Sequence, residues 1–328
     1  MVGNSRLVFN YGAVSITGNV RTSNQDSAYV GPNLLVVADG MGGHAGGDIA
    51  STITVTTLSP LDTLASPRGI LRARMDIKQA TNALESAIEQ VYNEIVVAVQ
   101  KNLELSGMGT TITAILRADD SFVTAHLGDS RAYLLHEEEL TQLTTDHTFV
   151  QHLVDSGKIT KEEARVHPRK NVVMRVLGDF DLDYMPDLSF RLIQKGDRYL
   201  LSSDGVSGVL DDIEIRDVLL RIEDPEKAAR KLVDLAIESG STDNCTAIVA
   251  DVVDNRTRSK NYSQTPNFLG AAHDSIQEYL ESVIDNESSQ VIEVNEEEEN
   301  ENEENEGKIP RIRNIFHRLT RRGVVVED

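Results

Sequence analysis

Apolar residues recur along this chain at two spacings, and each spacing predicts a different element. Short runs rich in Val, Ile, Leu and Ala, bounded by Gly, Asp or Ser, predict strands. They fall at Leu7–Ile16, Leu34–Ala38, Gly109–Leu116, Phe122–Leu127, Arg131–Leu135, Leu188–Ile193, Arg198–Leu201 and Thr246–Val253. Three- and four-residue steps link Ile77, Leu84, Ile88, Val91, Ile95 and Val99, which predicts a helix over Met75–Leu103. A second helix is predicted at residues 44–58, behind a glycine-rich turn, and two more at Asp211–Leu220 and Pro225–Glu238. Pro225 suits the first turn of the last of these, and Gly240 suits the position just past its end. Strands and helices do not alternate one for one. That argues against a doubly wound parallel sheet and for largely antiparallel sheets with helices packed outside.

The pattern lapses after Val253. Residues 254–310 are polar, and between Glu293 and Glu306 they are mostly Glu and Asn. Such a stretch cannot bury enough apolar area to offset chain entropy, so it is expected to be disordered. In Arg311–Arg322 the apolar Ile312, Ile315, Phe316 and Leu319 share one helical face and arginines fill the rest. The expected organisation is a catalytic domain at 6–253, an acidic disordered linker at 254–310 and a short basic amphipathic tail at 311–328.

Composition narrows the class. Of 328 residues 40% are hydrophobic, enough for a sizeable core. No run of about 20 apolar residues suggests a membrane span, and no leader-like segment opens the chain. The single cysteine, Cys245, excludes an internal disulfide and a cysteine zinc cluster, so a cytoplasmic protein is expected. A net charge of −21 repels nucleic acid, and none is expected as a partner. A phosphate-bearing substrate would need a local cation, either bound metal or a placed arginine.

Candidate chemistry lies in a repeated device, an aspartate beside Gly, Ser or Asn at the edge of an apolar strand. It occurs at Asp39-Gly40, Asp129-Ser130, Asp204-Gly205 and Asp243-Asn244. Each alone is an ordinary turn. Together, at the aligned ends of strands, four carboxylates would converge and could not all stay ionised without a cation. With no His or Cys pair at ligand spacing, the set suits Mg²⁺ or Mn²⁺ rather than Zn²⁺. Two such ions are a standard device for in-line displacement at phosphorus. Gly40, Gly42 and Ala45 match a dinucleotide fingerprint only weakly, because Asp39 would repel a pyrophosphate and no βαβ unit follows. Upstream, Arg21 precedes Asp26 in a polar loop, and a guanidinium fork suits two phosphate oxygens.

These residues belong to an ordered series: Arg21…Gln25-Asp26, Asp39-Gly40-Met41-Gly42-Gly43-His44, Gly107-Met108-Gly109-Thr110-Thr111, Gly128-Asp129-Ser130-Arg131, Thr145-Asp146-His147, His167-Pro168-Arg169, Ser203-Asp204-Gly205 and Thr242-Asp243-Asn244. From about Arg6 to Val253 the chain resembles the protein phosphatase 2C family, the metal-dependent serine/threonine phosphatases, in the style of the bacterial enzymes paired with Hanks-type kinases. The resemblance implies an α/β sandwich of four layers, two antiparallel β-sheets packed face to face and flanked by helices. It implies that Asp39 bridges two Mn²⁺ or Mg²⁺ ions, that Gly40 offers its carbonyl, and that Asp204 and Asp243 complete the first ion's shell. Asp26 would serve the second ion through water, Asp129 a third and weaker one, and Arg21 would hold the phosphate. Thr144–Asn171 would form a flap beside the cleft. His44 is a candidate acid for the leaving alkoxide, with a helix cap as the plainer alternative.

The implied activity is hydrolysis of phosphoserine and phosphothreonine in proteins, among them serine/threonine kinases, by attack of a metal-bridged hydroxide. The catalytic domain is expected to be monomeric, and the basic tail to touch a membrane surface or a partner weakly. Two rivals remain at this point: a pseudophosphatase that kept the fold as a binding module, and a switch phosphatase acting on an anti-sigma antagonist. Loss of Asp39, Asp204 or Asp243 would signal the first, and all three are present.

Overall fold

Strands that are apolar at every position need cover on both faces, and the fold supplies it. A computed structural model describes residues 7–42, 46–65, 75–178, 183–254 and 265–278. The first half runs β1 (Leu7–Ile16), β2 (Asp26–Val30), β3 (Leu34–Met41), α1 (Gly46–Leu58), α2 (Pro60–Leu64), α3 (Ile77–Lys101), β4 (Gly109–Thr110), β5 (Ile112–Ala118) and β6 (Ser121–Leu127). There follow β7 (Arg131–His136), β8 (Glu139–Gln142), α4 (Phe149–Asp155), α5 (Lys161–Arg165), β9 (Leu177–Gly178) and β10 (Asp187–Leu192). The last third holds β11 (Arg198–Ser202), α6 (Asp204–Ser207), α7 (Asp212–Arg221), α8 (Pro225–Glu238), β12 (Cys245–Asp254) and β13 (Asn267–Gly270).

One sheet has the order β1-β12-β11-β7-β8 and the other β10-β6-β5-β3-β2-β13, with β4 and β9 branching from β3. Every pairing is antiparallel. Alternation along each strand divides its side chains between two cores. On β3, Leu34, Val36 and Ala38 pack under α1 and α3, while Leu35 and Val37 face the other sheet. On β12, Cys245, Ala247 and Val249 meet α7 and α8, while Ile248, Ala250 and Val252 point inward. The result is the expected four-layer sandwich.

Helix α3 forms where the periodicity placed it. Asp76 and Gln79 close a reciprocal capping box at its start, and Leu84, Ile88, Val91, Ile95 and Val99 bury one face. The strand expected over Gly109–Leu116 breaks between β4 and β5, because Thr111 turns to support Asp39. Strands β2 and β8 and helices α4, α5 and α6 carry too few residues to show a period, and sequence reading did not find them.

The expected boundary at Val253 needs correction. Residues 267–270, placed in the disordered linker by their polar surroundings, form β13 against β2, and residues 271–278 continue as helix. Phe268 packs on the α3-side core, Leu269 on the inter-sheet core, and Ala272 is fully buried. Four strand residues anchored by three apolar side chains suffice once a sheet edge is there to receive them. Residues 279–310 and the basic tail lie outside the described residues.

Candidate active site

Strand pairing puts the acids on one rim. Asp26 on β2 stands opposite Asp39 on β3. Gly40 follows, and its backbone lies so close to α1 that a Cβ there would sit 2.0 Å from the Gly47 carbonyl oxygen. Only glycine fits that approach. The Asp39 backbone is held by Thr111 Oγ1, which accepts from its N–H at 3.0 Å, and by Thr110 Oγ1, which donates to its carbonyl at 3.0 Å. Thr111 in turn hydrogen-bonds Ser130 Oγ at 2.8 Å, beside Asp129. Gly128, at φ +111°, leaves room for the Thr111 side chain.

The other sheet contributes Asp204 at the start of α6, just past β11, and Asp243 just before β12. Asp26 ties the two sheets together. Its Oδ2 accepts from Ser203 Oγ and from Thr246 Oγ1, each at 2.7 Å. Asn244 anchors the Arg21 loop, donating to the Thr17 and Ser23 carbonyls and accepting from the Gln25 N–H. Arg21 itself donates to Asp243 Oδ2 at 2.7 Å across 222 positions of sequence.

Charge crowds this rim. Burial raises the Asp39 carboxyl well above the ordinary carboxylate range, and Asp26, Asp204, Asp129 and Asp243 push it further. Asp204 is raised by burial and by Asp243, and Asp129 by burial and by Asp204 and Asp146. Asp26 is pushed up to about 7, chiefly by burial, with the Thr246 and Ser203 hydroxyls pulling the other way. The hydrogen bond to Asp243 raises the Arg21 pKa.

Among the described residues no three of His, Cys, Asp or Glu stand at ligating spacing around one point. Arg21 meanwhile occupies the Asp243 carboxylate. The donor set still fits a hard divalent cation. It is all oxygen, its carboxylates repel one another, and Gly40 directly follows Asp39 at the end of β3. For its Oδ2 to serve an ion, Asp243 would have to give up Arg21.

A cleft of about 370 Å³ opens beside the rim. Its lining includes Asp129, Asp204 and Asp243 together with Lys161, Arg165 and Lys170 of the flap. A second, more open depression along α3 contains none of the candidate residues. The flap includes α4 and α5, capped by Thr148 and Thr160. It is fastened by Arg131, which grips Asp146 through Nε and Nη2 and donates to the Ser207 carbonyl from Nη1. His147 accepts from the Gly128 N–H at 3.0 Å, so a flap residue also holds the Asp129 turn.

The structure therefore brings together Arg21, Asp26, Asp39, Gly40, Asp129, Asp204 and Asp243. His44 lies outside the described residues. The supporting roles of Ser203, Thr246, Thr111, Asn244 and Arg131 were not read from the sequence, although all but Thr246 stand within motifs quoted for other reasons.

Residues 11–245 match the protein phosphatase 2C family profile. The serine/threonine protein phosphatase PstP of Mycobacterium tuberculosis is 44% identical over 266 residues, 81% of this chain and 48% of that protein, so the chain spans about half the length of this relative. The serine/threonine phosphatase stp of Listeria innocua is 34% identical over 244 residues, 71% of this chain and 92% of the relative. The solved catalytic domain of PstP, in complex with two manganese ions, is 43% identical with a TM-score of 0.66 and covers 76% of this chain and all of that one. The crystal structure of Stp1 from Staphylococcus aureus is 35% identical with a TM-score of 0.67, covering 74% of this chain and 94% of its own. With the ordered motifs, the four-layer sandwich and the acidic rim all in agreement with these matches, the chain belongs to the protein phosphatase 2C family.

Proposed function

We propose that this chain is a metal-dependent protein serine/threonine phosphatase. The observation that carries the reading is the convergence of Asp39, Asp204 and Asp243, from three strand ends in two sheets, beside a cationic Arg21. Asp39 would serve both of two divalent ions, Gly40 would offer its carbonyl to one of them, Asp204 and Asp243 would complete the shell of the first ion, and Asp129 would serve a weaker third. Asp26 would act from behind through water, since its Oδ2 is already committed to Ser203 and Thr246. Bound there, Mn²⁺ or Mg²⁺ supplies charge neutralisation and a water acidic enough to deprotonate near neutral pH.

The chain's own groups do the rest. With Asp243 committed to an ion, the Arg21 fork would be free to grip two phosphoryl oxygens. Lys161 and Lys170 on the flap face the same cleft and suit acidic flanks of a phosphorylated protein. The one cysteine supplies no nucleophile. Cys245 is buried on β12, and burial pushes its thiol up to about 11. Transfer to water without a covalent phosphoenzyme is the consistent route. Retention of Asp39, Asp204 and Asp243 runs against a pseudophosphatase. The substrates in this reading are phosphorylated proteins, including serine/threonine kinases, met in the cytoplasm. Among the described residues no helix is long and apolar enough to cross a membrane.

The test is hydrolysis of a phosphothreonine peptide by the full-length chain. Activity is expected to vanish in EDTA and return with Mn²⁺ or Mg²⁺ but not with Zn²⁺ alone. Turnover that survives exhaustive chelation would refute the reading. Arg21→Ala is expected to raise KM about tenfold, on the order of 1.4 kcal/mol of lost ground-state binding, and Arg21→Lys to recover part of it. Unchanged KM and kcat would return Arg21 to a purely structural pairing with Asp243.

A further inference from the structure

Strand β2 carries Asp26 at its first residue and would be the edge of its sheet if the fold ended with β12. The family match ends at Cys245, so β13 lies beyond it. Yet β13 covers the four residues of β2 that follow Asp26, pairing Asn267 with Val30, Phe268 with Tyr29, Leu269 with Ala28 and Gly270 with Ser27.

The contacts tighten toward Asp26. Phe268 packs edge-on against Tyr29, with ring centroids 5.1 Å apart. The backbone of Gly270 has φ +68°, and a Cβ there would lie 2.1 Å from the Asp26 carbonyl oxygen and 2.8 Å from Ser15 Oγ. A side chain at this position is therefore excluded twice, by conformation and by space. Two residues further on, the Ala272 N–H donates to Ser27 Oγ at 3.1 Å. Ser27 Oγ also meets Ser51 Oγ on α1 at 2.9 Å, and Ser51 Oγ donates to the Gln25 carbonyl at 2.6 Å. That same carbonyl accepts from the Gly40 N–H at 3.1 Å. A continuous set of hydrogen bonds thus runs from the segment after the family domain to the two residues on either side of Asp26 and on to Gly40.

We infer that residues 265–278 are a positioning clip for the metal site: β13 and the helical turn after it hold β2 in register so that Asp26 and Gly40 face the rim correctly. This rests on the metal-dependent reading above. An edge strand frays because half of its backbone groups lack partners, and a frayed β2 would misplace Asp26, whose two hydroxyl bonds fix only one carboxylate oxygen. The positioning residues are Phe268, Gly270 and Ala272, none of which would touch metal or substrate.

The experiment uses the full-length chain stripped of metal, with Mn²⁺ binding followed by titration calorimetry and hydrogen exchange followed over residues 26–41. Wild type is expected to bind two Mn²⁺ tightly enough to resolve, apart from the weaker third at Asp129. Gly270→Val, and Phe268→Ala as a clash-free second variant, are expected to weaken the weaker of the two sites about tenfold and leave the tighter within twofold. Both are expected to speed exchange over residues 26–30 by at least tenfold, before any metal is added. Leu84→Ala, a cavity in the distant α3 core, is expected to lower Tm yet leave both affinities unchanged. If Asp26→Asn weakens Mn²⁺ binding while Gly270→Val and Phe268→Ala do not, the clip is overturned and the metal reading stands. If Asp26→Asn leaves both affinities unchanged, the assignment of Asp26 fails and the clip falls with it. If wild type binds no Mn²⁺, the functional reading itself is refuted.

Discussion

Replacing Asp39 by Asn is expected to reduce turnover by roughly a thousandfold or more: in the proposed reading this carboxylate would hold the ions, whose transition-state charge stabilisation is worth several kcal/mol, and about 1.36 kcal/mol is tenfold in rate. The same variant is expected to stabilise the metal-free protein. The cause is the sign of the pKa shifts. Asp39, Asp204, Asp129 and Asp26 are all raised in the fold, mainly by burial and by one another. The folded chain therefore binds more protons than the unfolded chain once the pH exceeds the ordinary carboxylate range of about 4. Stability of the metal-free protein falls as pH rises from there through about 7, the value to which Asp26 is pushed. Asn at position 39 removes one buried charge and flattens the slope. Saturating Mn²⁺ reverses the trend in wild type, adding about 2.7 kcal/mol at a hundred times its Kd. Thermal melts from pH 5 to 8, with and without Mn²⁺, check both halves. A wild-type Tm that rises with pH in EDTA would contradict the crowded-acid account.

Arg131→Met is expected to destabilise the protein by about 3 kcal/mol, the low end for breaking a buried ion pair, because it strands Asp146. The Asp146 side chain is 9% exposed and the Arg131 side chain 25%, so solvent replaces little of the lost pairing. The effect should extend to the site. Arg131 connects the flap, through Asp146, to the Asp129 turn and to the carbonyl of Ser207 in α6, the helix that Asp204 opens. Weaker Mn²⁺ binding is therefore expected alongside the lower Tm. The double variant Arg131→Met with Asp146→Leu should recover much of the stability but not the metal affinity, because no unpaired charge remains while the tether is still gone. Equal Tm values for wild type and Arg131→Met would show the pair to be energetically idle.

Local sequence specifies the elements that are long or buried on both faces. Runs such as Leu34–Ala38 and Thr246–Val253 are apolar at nearly every position because cores lie on both sides of them, and that demand is visible locally. The period in α3 is equally local. The ordered Asp-Gly and Asp-Asn motifs named the chemistry, because a hard cation at a phosphoryl centre needs oxygen donors and turns that expose them. Which distant residues meet depends instead on how the sheets assemble. Asp26 lies 177 positions from Ser203 and 220 from Thr246, and Arg21 lies 222 from Asp243. No spacing along the chain encodes those contacts, since they arise when strands from opposite ends of the sequence pair side by side. The strand Asn267–Gly270 shows the same limit from the other direction. Its four residues form a strand because β2 offers an open edge, two cores accept Phe268 and Leu269, and Gly270 alone fits against the Asp26 backbone. Each of those conditions belongs to the assembled sheets rather than to the segment.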